Sequence, residues 1–590
     1  MKRAAMLLVI YSFTSAVIAS DANLPLTING LTYSAVLTKN SALMSRISTQ
    51  LGEDNAGEHY RGKLESVPNS WVRASKIEGE WQGVASLYGE LYVIAQPTNT
   101  LALQSEKTSS VITPATALTD YSDDMGNCGV EHNVAAPTST PSSALASTPA
   151  SNQSIASIAE AGVVTQEQIA AFCGNQIDGI CLLPELEFVF DLSFQSLFGN
   201  NAAAQARSLI NIAEGFYRMD RTEPDDNNGF NMAFDTITVE FLTSELFSTS
   251  TNPNILIQDV QNKKTIGEVP FLKNNRALLH LVTARQFDGG TVGIAGLDAF
   301  CRTNGGSAVT TVIGNGNNRT PLTAVVLAHE TAHYLGVLHD SNPNTTCPSA
   351  SHIMSPSINI NASGFSSCSV TDMENAIDSR PSASLAACFN FPADISLSNN
   401  TTPREVIAGG RFSSSHQVSV ESGFQSVDRI ILTGTSNQGA RFAAVSVNGN
   451  ACAIEPNGGN ENAGYSCTVN NPGTELTVNI DADATGDNER IVFNHSARIT
   501  TTDIVDVLLN NNSLTTTISV SDPPPTPVPV PVPVPTVPES PSDDTPNDSV
   551  PPADREGEES STGGGGGNLG WPWLLGLTLL LFRRVRFKPA

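Results

Sequence analysis

The rhythm of apolar and polar positions changes several times along this chain. Between residues 20 and 125 short apolar stretches, such as Trp81–Leu87 and Leu91–Ala95, are separated by turn residues, a pattern that predicts a small β-rich unit. From Ala135 to Ser157 the chain is mostly Ala, Ser, Thr and Pro, a composition with little to bury, and a flexible linker is expected. Between Cys181 and Phe391 the pattern alternates. Glu187–Leu192 reads as a buried strand and Ala202–Met219 as a helix with one apolar face. Thr236–Leu242, Leu279–Thr283 and Thr291–Ala295 read as strands, and Leu322–Leu335 as a long helix. The order β-α-β-β-β-α predicts an α/β sandwich with a mixed sheet. From Asp394 to Val520 short β-branched segments (Gln417–Glu421, Arg429–Leu432, Ala443–Val447, Leu476–Ile480) alternate with Gly, Asn and Asp, which predicts an all-β sandwich.

The two ends differ from the middle. Lys2 and Arg3 precede an apolar run from Ala4 to Ile18, and Val17-Ile18-Ala19 offers small residues for cleavage, as in an export signal. Asp522–Thr562 is Pro-rich and then acidic, an extended spacer without a core. Gly563–Gly567, the apolar run Leu569–Phe582 and the basic residues Arg583, Arg584, Arg586 and Lys588 follow. That run is shorter than the roughly 20 residues of a comfortable membrane span, and its arginines would hold the end in the cytoplasm. The 590 residues exceed what one core organises. The expected plan is a signal (1–19), an N-terminal β-rich module (20–134), a linker (135–180), an α/β domain (181–391), a β-sandwich (392–521), a spacer (522–562) and a tail (563–590).

Charge and cysteine count narrow the setting. Asp and Glu number 58 against 31 Lys and Arg, a net charge of −27, which would repel phosphates and excludes nucleic acid as a partner. Nine cysteines fit an oxidising compartment, and an odd number leaves at least one outside any internal disulfide. His416 and His495 are expected on the surface or half-buried.

The chemistry concentrates in Leu327–Asp340. His329 and His333 are four residues apart and share a helix face, so both imidazoles can reach one metal ion. Gly336 can take a positive φ, which lets the chain leave the helix and bring His339 back as a third ligand. Three neutral nitrogens with one open position describe a catalytic zinc site, and Glu330 beside the first ligand is placed to act as general base on water.

His329-Glu330-Thr331-Ala332-His333-Tyr334-Leu335-Gly336-Val337-Leu338-His339-Asp340 resembles the metzincin signature, and Asp340 after it resembles the reprolysin/ADAM branch of zinc peptidases. The resemblance implies an α/β metzincin catalytic domain over about Pro184–Phe391. It makes Met354, in Ile353-Met354-Ser355-Pro356, the carrier of a Met-turn under the zinc ligands. Phe287–Ala295 is similar to the edge strand on which these peptidases lay out substrate by β-augmentation. Phe365-Ser366-Ser367-Cys368-Ser369 is similar to the segment leading into the last helix.

His59-Tyr60-Arg61-Gly62 is similar to reprolysin propeptides. Cys128-Gly129-Val130 resembles their cysteine switch, which implies that Cys128 ligates zinc in a latent zymogen. The resemblance also pairs Cys301 with Cys388 and Cys347 with Cys368. Proximity suggests Cys173 with Cys181 and Cys452 with Cys467. Glu187 and Asn390 resemble the oxygen donors of a structural calcium site. The tail resembles the GlyGly-CTERM sorting signal of Gram-negative bacteria, which implies transient inner-membrane anchoring, cleavage by a rhomboid-type protease and release to the surface or medium.

The expectation is therefore a secreted or surface zinc metalloendopeptidase acting on extracellular proteins. The alternative is a surface adhesin whose zinc domain is structural, although a structural site would have its fourth position closed.

Overall fold

Strand patterning and closure explain the N-terminal module. In this computed structural model, which describes residues 21–47, 57–95, 110–114, 128–131, 167–218, 231–341, 347, 352–457, 460–485 and 490–525, strands β1 (Ala22–Ile28) to β7 (Ser110–Pro114) close into a barrel. β1 and β7 pair in parallel, so the module has no free edge. Leu26, Leu37, Val72, Ala85 and Ile94 fill its interior. The expected signal (1–19) and sorting tail (563–590) lie outside the described residues. Among those residues no helix is long and apolar enough to cross a membrane.

The α/β domain is built on β9 (Leu183–Phe190), β10 (Asp235–Phe241), β11 (Leu278–Thr283), β12 (Gly293–Gly296) and β13 (Ser307–Thr311), in the order β10-β9-β11-β13-β12. β10, β9, β11 and β13 run parallel, while β12 joins β13 antiparallel. β9, β11 and β13 are buried nearly throughout, polar residues such as His280 and Thr310 included, because both faces of the sheet are covered. Helix α1 (Ser41–Arg46), between two barrel strands in sequence, packs against β10 with Leu43 in the core of the α/β domain, and α2 (Glu167–Phe172) precedes the sheet. Within the domain lie α3 (Leu192–Phe198), α4 (Ala202–Tyr217), α5 (Pro253–Ile266), α6 (Arg319–Tyr334), α7 (Ser367–Asp378) and α8 (Ser382–Leu385). α6 is apolar over Leu322–Ala328 apart from Thr323, whose hydroxyl accepts from Ile313 N–H, and is buried accordingly, with β12 and β13 on one side and α4 on the other.

α5 and β13 were not legible from periodicity. The α5 sequence PNILIQDVQNKKTI is too polar to show a strong stripe, yet its ends carry plain signals. Asn252 accepts bonds from the N–H groups of Asn254 and Ile255, Pro253 opens the helix, and Gly267 closes it at φ 76°.

Two junctions differ from the expected plan. The linker expected over 135–180 is structured from Glu167. Gln168 donates to the carbonyls of Asp378 and Arg380, Ile169 N–H donates to Asp378, and the Phe172 ring packs against Phe391 and Phe424. The boundary expected at 391/392 falls inside one strand, β14 (Phe389–Thr401). β14 starts against β9 through Phe389↔Pro184 and continues beside β16 (Arg411–Ser422), so the sheet passes from one domain into the next without a break.

Strands β15 to β25, between Glu405 and Ser521, complete a two-sheet sandwich whose strands alternate inward apolar and outward polar residues. That alternation corrects the expectation for two histidines. His416 shares its face of β16 with Phe412 and Val418, and His495 shares its face of β23 (Arg490–Ile499) with Phe493 and Ala497. Both are buried, with ring centroids 3.9 Å apart. Tyr465 Oη shares a hydrogen bond of 2.9 Å with His495 Nδ1. Burial pushes His416 down to about 4 and, together with the neighbouring His416, pushes His495 down to about 3.

These histidines stay neutral in the folded chain and gain protons on unfolding. Their contribution is complete above their ordinary value near 6.5 and is lost as pH falls towards about 4 and about 3. The melting temperature of the sandwich is therefore expected to fall between pH 6.5 and 4. In the double variant His416→Leu, His495→Phe the slope should flatten, as measured by calorimetry across that range.

Candidate metal centre

The sequence dictates where α6 must stop. Gly336 follows its last turn at φ 95°, Gly336 N–H donates to His333 O, and Val337 N–H donates to Ala332 O. This is the paired bonding of a left-handed helix terminus, which reverses the chain and returns His339 over the helix. Nε2 atoms of His329, His333 and His339 then lie 3.0, 3.2 and 3.1 Å apart pairwise. A tetrahedral zinc with Zn–N of about 2.0–2.1 Å spaces its ligands by about 3.3 Å, so the triangle is of the right size.

The protons of these rings decide what the triangle can hold. His329 Nδ1 is 2.7 Å from the carbonyl of Ile353 and His333 Nδ1 is 2.7 Å from that of Val337, so both Nδ1 atoms must donate. Their Nε2 atoms are then bare lone pairs facing each other, an arrangement that repels unless a cation lies between them. Burial, followed by His339, pushes His329 down to about 3, which favours the neutral form a metal needs. The donor set fits zinc.

The expected supporting residues surround this triangle. Met354 is fully buried and its carbonyl accepts a 2.7 Å bond from Asp340 N–H. Asp340 is buried as well, and Oδ1 accepts from Ser366 and Ser369 at the start of α7. Asp340 thus ties the turn after His339 to both the Met354 segment and the last long helix. Tyr217 of α4 donates to the carbonyl of Ala328 at 2.6 Å, beside the first histidine.

Cys128 is brought to the same place from the N-terminal module. β8 (Cys128–Glu131) lies parallel against β12, with Cys128 opposite Gly293 and Val130 opposite Ala295. It therefore occupies the edge strand expected to hold substrate. Cys128 Sγ donates to Glu330 Oε1 at 2.7 Å and groups with the nitrogens of His329 and His339. Burial, then the adjacent Glu330, pushes the Cys128 thiol well up, and burial pushes the Glu330 carboxyl up to about 8.

Disulfides join Cys173 to Cys181, Cys301 to Cys388, Cys347 to Cys368 and Cys452 to Cys467, and Cys128 is the free cysteine. The two residues expected at a calcium site are not bonded to each other. Glu187 is buried and accepts from the N–H groups of Lys273 and Asn274, while Asn390 donates to Glu185 and Asp235. The carbonyls of Ile353 and Val337, which set the ring protons, and the hydroxyl of Tyr217 were not anticipated. Backbone acceptors carry no residue-type signal.

Residues 242–389 match the Reprolysin (M12B) family of zinc metalloproteases. A zinc metalloproteinase-disintegrin-like protein of Bungarus multicinctus, BmMP, is 38% identical over 104 residues, 18% of this chain and 16% of the relative. BfMP of Bungarus fasciatus, described in the same words, is 41% identical over 92 residues, 16% of this chain and 15% of the relative. The chain thus spans about a sixth of the length of these curated relatives. A cohesin module from a Clostridium perfringens family 33 glycoside hydrolase aligns over 22% of this chain and 98% of its own, at 12% identity and a TM-score of 0.17, too slight a likeness to carry an argument.

A Cβ on Gly336 would stand 2.8 Å from that of Ala376 on a backbone at φ 95°. Gly336→Ala is expected to cost about 1–3 kcal/mol of stability and to lower the zinc content of the purified protein by displacing His339. Thermal denaturation and metal analysis check both.

Proposed function

We propose that this chain is a zinc-dependent metalloendopeptidase, exported as a latent precursor and acting on extracellular proteins. The observation that carries the reading is the triangle of Nε2 atoms, in which His329 and His333 turn their Nδ1 protons outward to the carbonyls of Ile353 and Val337. When bound, zinc supplies a Lewis acid that acidifies water and polarises a carbonyl.

The remaining work falls to the chain itself. β12 offers backbone bonds along which a peptide lies extended, which holds the scissile bond at the histidine face. Glu330, one residue from the first ligand, takes the proton of the attacking water and delivers it to the leaving nitrogen. Burial of the carboxyl excludes bulk water that would compete for this proton. In the precursor, β8 takes the place of substrate along β12 and Cys128 takes the place of the water beside Glu330; with zinc bound, the thiol would pass its proton to Glu330 and could serve as the fourth ligand.

Residues 1–19 would direct export and residues 20–134 would form the inhibitory propeptide. The tail from 563 would anchor the precursor in the inner membrane of a Gram-negative bacterium until a rhomboid-type protease releases it. Glu187 and Asn390, each bonded near Glu185 and Asn274, remain the residues through which calcium would act. A structural role for the zinc domain in an adhesin is disfavoured, because a buried carboxyl beside the fourth position has no purpose in a closed site.

Glu330→Gln is expected to lower kcat/KM on casein by about 10²–10⁴-fold with zinc retained, and chelation should abolish the wild-type activity. Cys128→Ala should give the uncleaved precursor partial activity, with a further rise when removal of the N-terminal module frees β12 of β8. Absence of cleavage by the zinc-loaded wild type after removal of the N-terminal module would overturn the reading.

A further inference from the structure

Edge strand β12 approaches α6 more closely at one residue than a side chain would allow. An ideal Cβ built on Gly293 would lie 2.3 Å from Glu330 Oε1 and 2.7 Å from both Cδ and Cγ of the same residue. Since the Cγ methylene is as close as the carboxyl carbon, rotation of the carboxyl alone cannot relieve the overlap. Nor can the helix retreat, because the same turn carries His329 and His333, and any shift of Glu330 Cα would open the Nε2 triangle. The strand is equally fixed. Ile294 packs on the far side of the sheet with Leu256 and Val260 of α5, and Ala295 packs on the α6 side.

Gly293 is also the register partner of Cys128, whose thiol reaches Glu330 Oε1. Edge strand, carboxyl and the chain laid along the edge therefore meet at the one β12 position facing Glu330 without a side chain. We propose that Gly293 is a positioning residue for Glu330: its missing Cβ lets the carboxyl lie flush against the edge strand, beside the bond of whatever peptide lies along it. This rests on the peptidase reading for its catalytic consequence, but the placement itself is a property of the latent chain as well. With a methyl at 293, the Glu330 side chain is forced towards the histidine face, into the space of Cys128 Sγ in the precursor and of water in the active form.

The test compares Gly293→Ala, Glu330→Asp and the double variant with wild type, as full-length precursor and after removal of the N-terminal module. Gly293→Ala is expected to lower kcat about tenfold or more with KM changed far less and zinc content unchanged. Aspartate is one methylene shorter and fits under the methyl, so Glu330→Asp should cost activity in the wild-type background and little or nothing in the Gly293→Ala background. In the precursor, Gly293→Ala should make Cys128 react with iodoacetamide about tenfold faster, because the displaced carboxyl unseats the thiol.

Additive losses in the double variant, kcat retained in Gly293→Ala, or unchanged Cys128 labelling would overturn the proposal. Should Gly293→Ala prove unstable, thermal denaturation decides. Recovery of the melting temperature by Glu330→Asp supports the proposal, and equal instability of the two variants sinks it. If the wild type cleaves nothing, the peptidase reading fails, while the labelling comparison still tests where Gly293 places Glu330.

Discussion

Two imidazole lone pairs 3.0 Å apart, with the Nε2 of His339 within 3.2 Å of both, repel one another in the absence of a cation, and much of the domain holds the three rings in that position. Each restraint is identifiable. The Gly336 terminus reverses the chain after α6, and the carbonyls of Val337 and Ile353 take the Nδ1 protons. Asp340 binds the returning segment to the Met354 turn and to α7. The third histidine, His339, five residues beyond the end of α6, is thereby fixed as firmly as the two within it. Outer hydrogen bonds of this kind set ring orientation and tautomer in metal sites generally, and here they come mostly from backbone.

The barrel is fastened to this machinery through α4, whose residues are nearly all buried because α6 covers one face and the barrel the other. The second contact is polar. Glu214 is fully buried among Arg46 and Arg73 at 3.5 and 3.9 Å, with Asn40 bonded to both Asn211 and Glu214. Trp71 and Arg73 lie where a Cβ on Gly215 would stand, so barrel and helix are in direct backbone-range contact. Charges buried this way gain little net stability but tolerate few alternative arrangements, which suits an interface that fixes orientation. That orientation is what lays β8 along β12 and seats Cys128 at Glu330.

At the other side of the sheet, β14 joins β9 while β12 lies at the opposite edge. The sandwich is therefore continuous with the α/β domain yet remote from the edge that carries β8. Phe172, set between Phe391 and Phe424 and followed by the Cys173–Cys181 disulfide, closes the junction.

Much of this was legible before any coordinates. The histidine spacing with Gly336 brings three imidazoles and a carboxylate to one place, because helix periodicity and a glycine turn are local properties, readable from neighbours in sequence. Odd cysteine parity leaves one cysteine over by arithmetic, and the resemblance of Cys128-Gly129-Val130 to a cysteine switch singled out Cys128. What lay beyond reach was everything set by partners distant in the chain. α5 is polar along its length, and its existence depends on caps and on the sheet it covers. His416 and His495 are inward only because the register of two strands places them so. Gly293 looks like any strand glycine until Glu330, from a helix more than thirty residues on, fills the volume of its absent side chain. Local sequence carries the identities and spacings of the reactive groups. Only the tertiary structure decides which backbone atoms hold their protons and which empty volume they occupy, because hydrogen-bond acceptors and excluded volume belong to whatever the fold brings alongside.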